Sequence, residues 1–285
     1  MPALAPFAGI GNFLGQDFTR NAAVAGGAIA LAAGMVGYFL VVRAQVFTGD
    51  ALGHAAFTGA LAALAAGLDV HIGLFAGTIA VALLLAALGP RGRADDVVIG
   101  SVFAWLLGLG VLFLSIYATS SSTGDSRAGI TVLFGSIFGL SARDTTVAVI
   151  CCLGVVLVLL VLARPLLFAT FDEAVAAARG VPVRALGTAL LVLVAVTAAE
   201  AAPAVGALQL LGLLTGPAAT ALLLTRRPFR ALALSGALAL VEVWLGLALA
   251  YAVPSMPPTF AIMAVIVAGY AAARIADRAG RHAEV

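Results

Sequence analysis

The chain has 285 residues, of which 63% are hydrophobic and 10% charged, with a mean hydropathy of +1.17 and a formal net charge of +2. A soluble domain carries about a quarter charged residues, so this composition excludes a water-soluble globule and points to a polytopic membrane protein. All fifteen basic residues are arginine. Without a lysine the chain cannot build the GxxxxGK[ST] phosphate loop, so any ATP-driven motor must be another polypeptide. No HExxH or paired-aspartate motif lies in a predicted helix, so no enzymatic role is expected, and no nucleic-acid partner either.

In chain order, the opening "MPALAPFAGIGNFLGQDF" has no basic start, and its first charge is Asp17. Residues 1–20 therefore read as an extracytoplasmic or interfacial segment rather than a cleaved leader. Apolar runs near the twenty or so residues that cross hydrocarbon predict helices at 22–42, 52–68, 70–89, 97–117, 145–163, 183–200, 204–224, 231–252 and 258–275. The expected fold is all-α, a bundle of eight or nine transmembrane helices over 21–275, with a tail at 276–285. Ala30, Gly34 and Gly37 line up small residues in the first helix, which lets a neighbouring backbone approach closely.

The second run opens with "FTGDALGHAAFTGA", residues 47–60. Asp50 and His54, four apart, share one helix face. A carboxylate oxygen and an imidazole nitrogen pointing the same way suit zinc, manganese or iron(II). Ionisable groups inside a membrane segment mark a pathway. The plain alternative is a helix cap at Asp50 and a hydrogen-bonded His54, and spacing weighs the two equally. Asp69 and His71, in the turn "GLDVHIG", read as surface turn residues in preference to a site where an ion first lands.

The piece "AGITVLFGSIFGL", 128–140, is too short to span and reads as re-entrant or half-crossing. The adjacent Cys151 and Cys152 read as packing residues, since a disulfide framework needs spaced pairs. Between 164 and 187, "RPLLFATFDEAVAAARGVPVRALG" contains a short amphipathic helix from near Asp172 to Gly180. Asp172 and Glu173 suit its positive end, and Gly180 with Pro182 stops it. It is either a solvated connector or an element gripped by a cytoplasmic partner. Glu200, near a helix end, reads as a solvated acid in preference to a cation attractor. Gly216 and Pro217 interrupt "LLGLLTGPAATALLL", as a kink beside the pathway or as packing. Glu242 is the other deep acid: a third metal ligand, a proton-linked group or a structural carboxyl. His282 belongs to a polar tail and carries no specific role.

Arginine placement orients the bundle. Loops after the odd-numbered helices hold twelve arginines: Arg43, Arg91, Arg93, Arg164, Arg179, Arg184, Arg226, Arg227, Arg230, Arg274, Arg278 and Arg281. The other side holds Arg20, Arg127 and Arg143. The N-terminus is thus expected outside and the C-terminus in the cytoplasm.

"FLVVRAQVFTGDALGHAAFTGALAA" resembles the signature of ABC-transporter permeases that import zinc, manganese or iron(II): an arginine, then GDA-x-x-H-A. "VVIGSVFAWLLGLGVLFLS", "VLFGSIFGLSARD", "FDEAVAAARGV" and "VGALQLLGLLTGPAATALLL" follow in that family's order, over residues 20–275. The arrangement also resembles the larger cobalamin and siderophore permeases, with their first helix missing or reduced. The resemblance implies a type II importer permease in the cell (inner or plasma) membrane, working as a homodimer with the pathway between subunits. It further implies two cytoplasmic ATPase subunits, an extracytoplasmic metal-binding protein, and a metal that is substrate rather than resident cofactor. Asp50 and His54 fall on the family's metal ligands, and residues 171–181, with Asp172, Glu173, Ala177 and Gly180, on its ATPase-coupling helix. The chain departs from the pattern at Thr215-Gly216-Pro217 and at "AVPSMPPTF", which leaves the ion's identity open. Glu242 is not among that family's characteristic positions. A siderophore or cobalamin importer would need a wide cavity without metal ligands. A self-contained secondary transporter usually carries inverted repeats, and none is visible here.

Overall fold

The computed structural model of the chain describes residues 15–89, 96–120 and 133–283, with backbone alone at 120 and 280–283. Residues 1–14 of the N-terminal segment, Arg91, Arg93, Arg127, 128–132 and 284–285 lie outside the described residues, as do the side chains of Arg281 and His282. The helices run in the order α1 (Asp17–Val42), α2 (Val46–Ala65), α3 (Val70–Leu88), α4 (Asp96–Ser120) and α5 (Ala142–Phe171). They continue as α6 (Glu173–Ala178), α7 (Val183–Val205), α8 (Leu210–Leu224), α9 (Pro228–Ala252) and α10 (Pro258–Ala283).

Every predicted span is present as a helix, with shifted ends. The first helix starts at Asp17 rather than after residue 20, with Asp17 3.0 Å from Arg20 in its first turn. α5 is 30 residues long and starts at a capping box, where Ser141 Oγ accepts from the Asp144 amide and the Asp144 carboxylate accepts from the Ser141 amide. It runs on through Pro165, because one missing amide donor in a packed helix kinks it without ending it. α7 likewise keeps Pro203 and ends at Gly206, whose φ of +97° breaks the helix. α8 therefore begins at Leu210 rather than 204. Its 15 residues reach about 22 Å at 1.5 Å per residue, short of a hydrocarbon core of roughly 30 Å.

Among the described residues, seven helices (α1, α3, α4, α5, α7, α9 and α10) are long and apolar enough to cross a membrane unaided. The 20-residue α2 is not among them, because glycines, threonines, Asp50 and His54 dilute its hydropathy. It is carried instead by its neighbours α3, α4, α7 and α8. Burial follows the same logic. α1 and α7 are mostly enclosed, while α4, α5 and α10 present Trp105, Val111, Val161 and Val267 outward as a surface suited to lipid.

The centre of the bundle is α1, packed against α5, α7, α8 and α9. Ile29, Val36, Tyr38, Phe39 and Leu40 are almost wholly buried on its successive faces. The small residues expected on this helix are its contact points. A methyl group at Gly34 would stand 2.5 Å from the Ser235 carbonyl oxygen, and the Ser235 hydroxyl donates to the Gly34 carbonyl at 2.6 Å. One turn on, Gly37 lies directly against the Leu214 carbonyl and leaves no room for a side chain. Close backbone approach of this kind replaces the hydrophobic drive that is absent between helices in lipid.

The described part of the expected re-entrant piece, 133–140, is helical at 133–134 and continues as a turn with one 3-10 element, Ile137–Gly139. Ser136 N–H donates to the Pro203 carbonyl at 2.9 Å and Leu208 N–H to the Leu133 carbonyl at 3.4 Å, holding the turn against the α7–α8 link.

Candidate metal pathway

α2 begins at Val46 after Gln45, six residues before the expected start at 52. Asp50 is consequently the fifth residue of the helix and does not cap it. His54 lies one turn further in, near enough for mutual electrostatic interaction with Asp50. Both residues are half-buried. Where α1 meets α2, the buried Arg43 donates from Nε to Thr170 Oγ1 at 2.9 Å, tying this corner to the end of α5.

The seam between α2 and α4 shapes the surroundings of the pair. The His54 ring meets Phe103 edge-on, with centroids 4.9 Å apart and planes at 90°. Its Nδ1 is buried without a hydrogen-bond partner. One turn along the same face, Thr58 Oγ1 donates to the Leu106 carbonyl at 3.0 Å and fixes the register of the two helices. On the Asp50 side of the ring a cavity of about 410 Å³ opens, lined by Phe47, Asp50, Asp96, Ile99, Gly100 and Phe103. Asp96, the first residue of α4, lines this cavity with Asp50, a neighbour that sequence reasoning missed. Its signal was the acid pair at 95–96 opening an apolar run. Two carboxylates in one cavity, beside an imidazole with an unused nitrogen, can attract a divalent cation and hold it briefly.

Glu242 does not join them. It is 4% exposed on α9, with Oε2 lacking a hydrogen-bond partner and Oε1 so close to Gly269 of α10 that a methyl there would stand 2.8 Å away. Among the described residues no three histidine, cysteine, aspartate or glutamate side chains already converge as a metal-binding group. Gly216 is a packing position, since a methyl there would collide with Ile266 of α10. Pro217 beside it is buried.

A short helix stands where the 164–187 loop was expected to contain one. Asp172 ends α5 and caps α6, its side chain accepting from the Val175 amide at 2.9 Å. At the other end Gly180, φ +80°, completes a Schellman motif: Val181 N–H donates to the Ala176 carbonyl and Gly180 N–H to the Ala177 carbonyl, each at 3.0 Å. Ala176 is buried under α6, while Asp172, Ala177 and Gly180 face outward.

At the other end of α2, Asp69 caps α3 by accepting from the His71 amide at 2.8 Å, as a turn residue would. Glu200 overturns the expectation of a solvated acid. It is 8% exposed, because α3 and α5 both pack against the helix that carries it. Both cysteines are free, and Cys152 is buried.

A bundle of helices long and apolar enough to cross a membrane, enclosing a more polar helix with an acid–imidazole pair, is the fold of a polytopic membrane protein. The chain belongs to the ABC 3 transport family, which matches residues 15–276. It is 29% identical over 235 residues to the manganese import system permease protein ScaB of Streptococcus parasanguinis, covering 82% of each chain. Against ScaB of Streptococcus pneumoniae the identity is 30% over 234 residues, again with 82% of each chain covered. Among solved structures, PsaBC from Streptococcus pneumoniae in complex with Fab superposes with a TM-score of 0.80 and 25% identity, over 94% of this chain and 95% of that one. The resemblance to metal ABC permeases read from the five sequence blocks therefore stands.

Proposed function

We propose that this chain is the membrane permease subunit of an ATP-driven importer of divalent metal, with manganese as the ion. The observation that carries the reading is the α2–α4 cavity, where Asp50 and Asp96 share one lining and His54 keeps Nδ1 unpartnered beside it. Carboxylates with one imidazole suit manganese better than thiolate-rich sites do. Manganese is also the ion named for the relatives. A site of few ligands fits transport, because a conducting site must release what it binds.

Two copies, apposed so that their α2 helices face a shared pathway, would double the ligand set. Hydrolysis takes place in separate ATPase subunits, consistent with a chain that has no lysine. Those subunits grip α6, whose capped and outward-facing turn transmits their closure to α5 and α7, and the dimer opens to one side at a time. An extracytoplasmic binding protein delivers the ion at the opposite face.

The test is manganese accumulation in cells stripped of their own importers, expressing this chain with its ATPase and binding protein. Wild type should restore uptake. Asp50→Ala and His54→Ala should abolish it at equal membrane abundance. Normal transport by both variants would sink the assignment of the pair.

A further inference from the structure

A second constellation lies at the opposite end of α2 from Asp50. Fifteen residues separate Asp50 from the end of the helix at Ala65, about 22 Å at 1.5 Å per residue. There His71 of α3, Asp144 of α5 and Glu200 of α7 line one cavity of about 320 Å³, together with Ser136 and Pro203. His71 Nε2 and Asp144 Oδ1 are 3.5 Å apart. Two atoms bound to one metal at about 2.0–2.2 Å stand roughly 3.0–3.5 Å from each other, so this pair already has ligand spacing.

Glu200 supplies the independent observation. It is more than nine-tenths buried, it lines the cavity, and its Oε1 has no hydrogen-bond partner. The Cys151 thiol donates to the same carboxyl group, and His71 and Asp144 are both close enough to act on it electrostatically. A buried carboxyl oxygen left unpaired is costly unless a proton or a cation arrives, and here, unlike at Glu242, an aspartate and an imidazole line the same cavity.

We infer that His71, Asp144 and Glu200 form a first landing site for the divalent cation, distinct from the Asp50–His54 pair. The inference rests on the transport reading above. The ion is received from the delivering protein between His71 and Asp144. Glu200 closes the set by turning its free oxygen across the cavity, and the remaining positions are taken by water. The volume accommodates a partly hydrated ion, since one water occupies about 30 Å³. Asp69, nearer in sequence to His71, does not line this cavity; Asp144 gives only Oδ2 to the Ser141 cap, which leaves its Oδ1 toward His71.

The experiment uses the full chain assembled with its ATPase in nanodiscs, carrying Asp50→Ala and His54→Ala to silence the inner pair. Mn²⁺ is titrated and the free ion followed by EPR. One saturable ion per chain is expected, and it should be lost when Glu200→Gln or His71→Gln is added. Absence of saturable binding in a folded, monodisperse double variant would overturn the proposal. So would binding that both further substitutions leave unchanged. Should the variants fail to assemble, the wild-type chain decides: Mn²⁺ should slow the reaction of Cys151 with a water-soluble thiol reagent, and equal rates with and without Mn²⁺ would refute the site. Failure of the transport reading appears separately, as a wild-type system that accumulates no manganese in cells.

Discussion

His54 shows how much one ring nitrogen can say. Its spacing from Asp50 was legible in the sequence, but spacing could not separate a ligand from a capping pair. Helix α2 starting at Val46 moves Asp50 off the cap, and the unpartnered Nδ1 removes the hydrogen-bonded alternative at that atom. Phe103 holds the ring edge-on, a contact worth about 0.5–1.5 kcal/mol. Phe103→Ala should therefore raise the manganese concentration for half-maximal uptake, by up to about tenfold, with the chain still inserted and abundant. Uptake curves at matched expression check this. His71 and Asp144 were not legible as a pair, being far apart in sequence and joined only by folding. Gly37 offers a stability test at the same scale. Gly37→Val drives a side chain into the Leu214 backbone, and overpacking of this kind costs about 1–3 kcal/mol. A lower unfolding temperature in detergent is expected, and an unchanged one would mean that α1 and α8 sit further apart than described.

Among elements, α6 is the one whose ends the sequence marked best. Asp172 and Gly180 announced both caps, and both bonds are made. Gly180→Val would force a branched side chain into the left-handed region, which L-residues enter at a cost of roughly 1–2 kcal/mol. We expect this variant to lose metal-stimulated ATP hydrolysis in the assembled complex while still binding Mn²⁺. Loss of Mn²⁺ binding as well would mean that the change spreads beyond α6. Helix α2 is the opposite case. Its apolar run was visible, but its first two turns were not, because "VFTGD" is too polar to read as membrane helix alone. Its neighbours supply the burial that its own hydropathy does not.

For the whole molecule, the arginine count predicts that α6 and the α1–α2 corner face the cytoplasm, and that the His71–Asp144–Glu200 cavity faces outward. A cysteine at Ala177, an exposed position, tests this in a Cys151→Ser background. Ala177→Cys should react with an impermeant thiol reagent in inside-out vesicles and stay unlabelled in intact cells. The reverse pattern would invert the bundle and the direction assigned to both sites. The membrane class, the helix order and the small-residue face of α1 were all present in composition and periodicity, since hydrocarbon imposes those constraints along the chain itself. The sequence by itself also determined that these 285 residues offer no lysine for a phosphate loop, that Asp50 and His54 share a face, and where α6 begins and ends. Only the tertiary structure decided that Asp96 lines the cavity of Asp50, that Glu242 lies apart from it, and that Glu200 is buried and lines one cavity with a distant histidine and aspartate. Burial and shared cavity lining depend on which helices pack together. That is a property of the three-dimensional contact pattern, which no local window of residues contains.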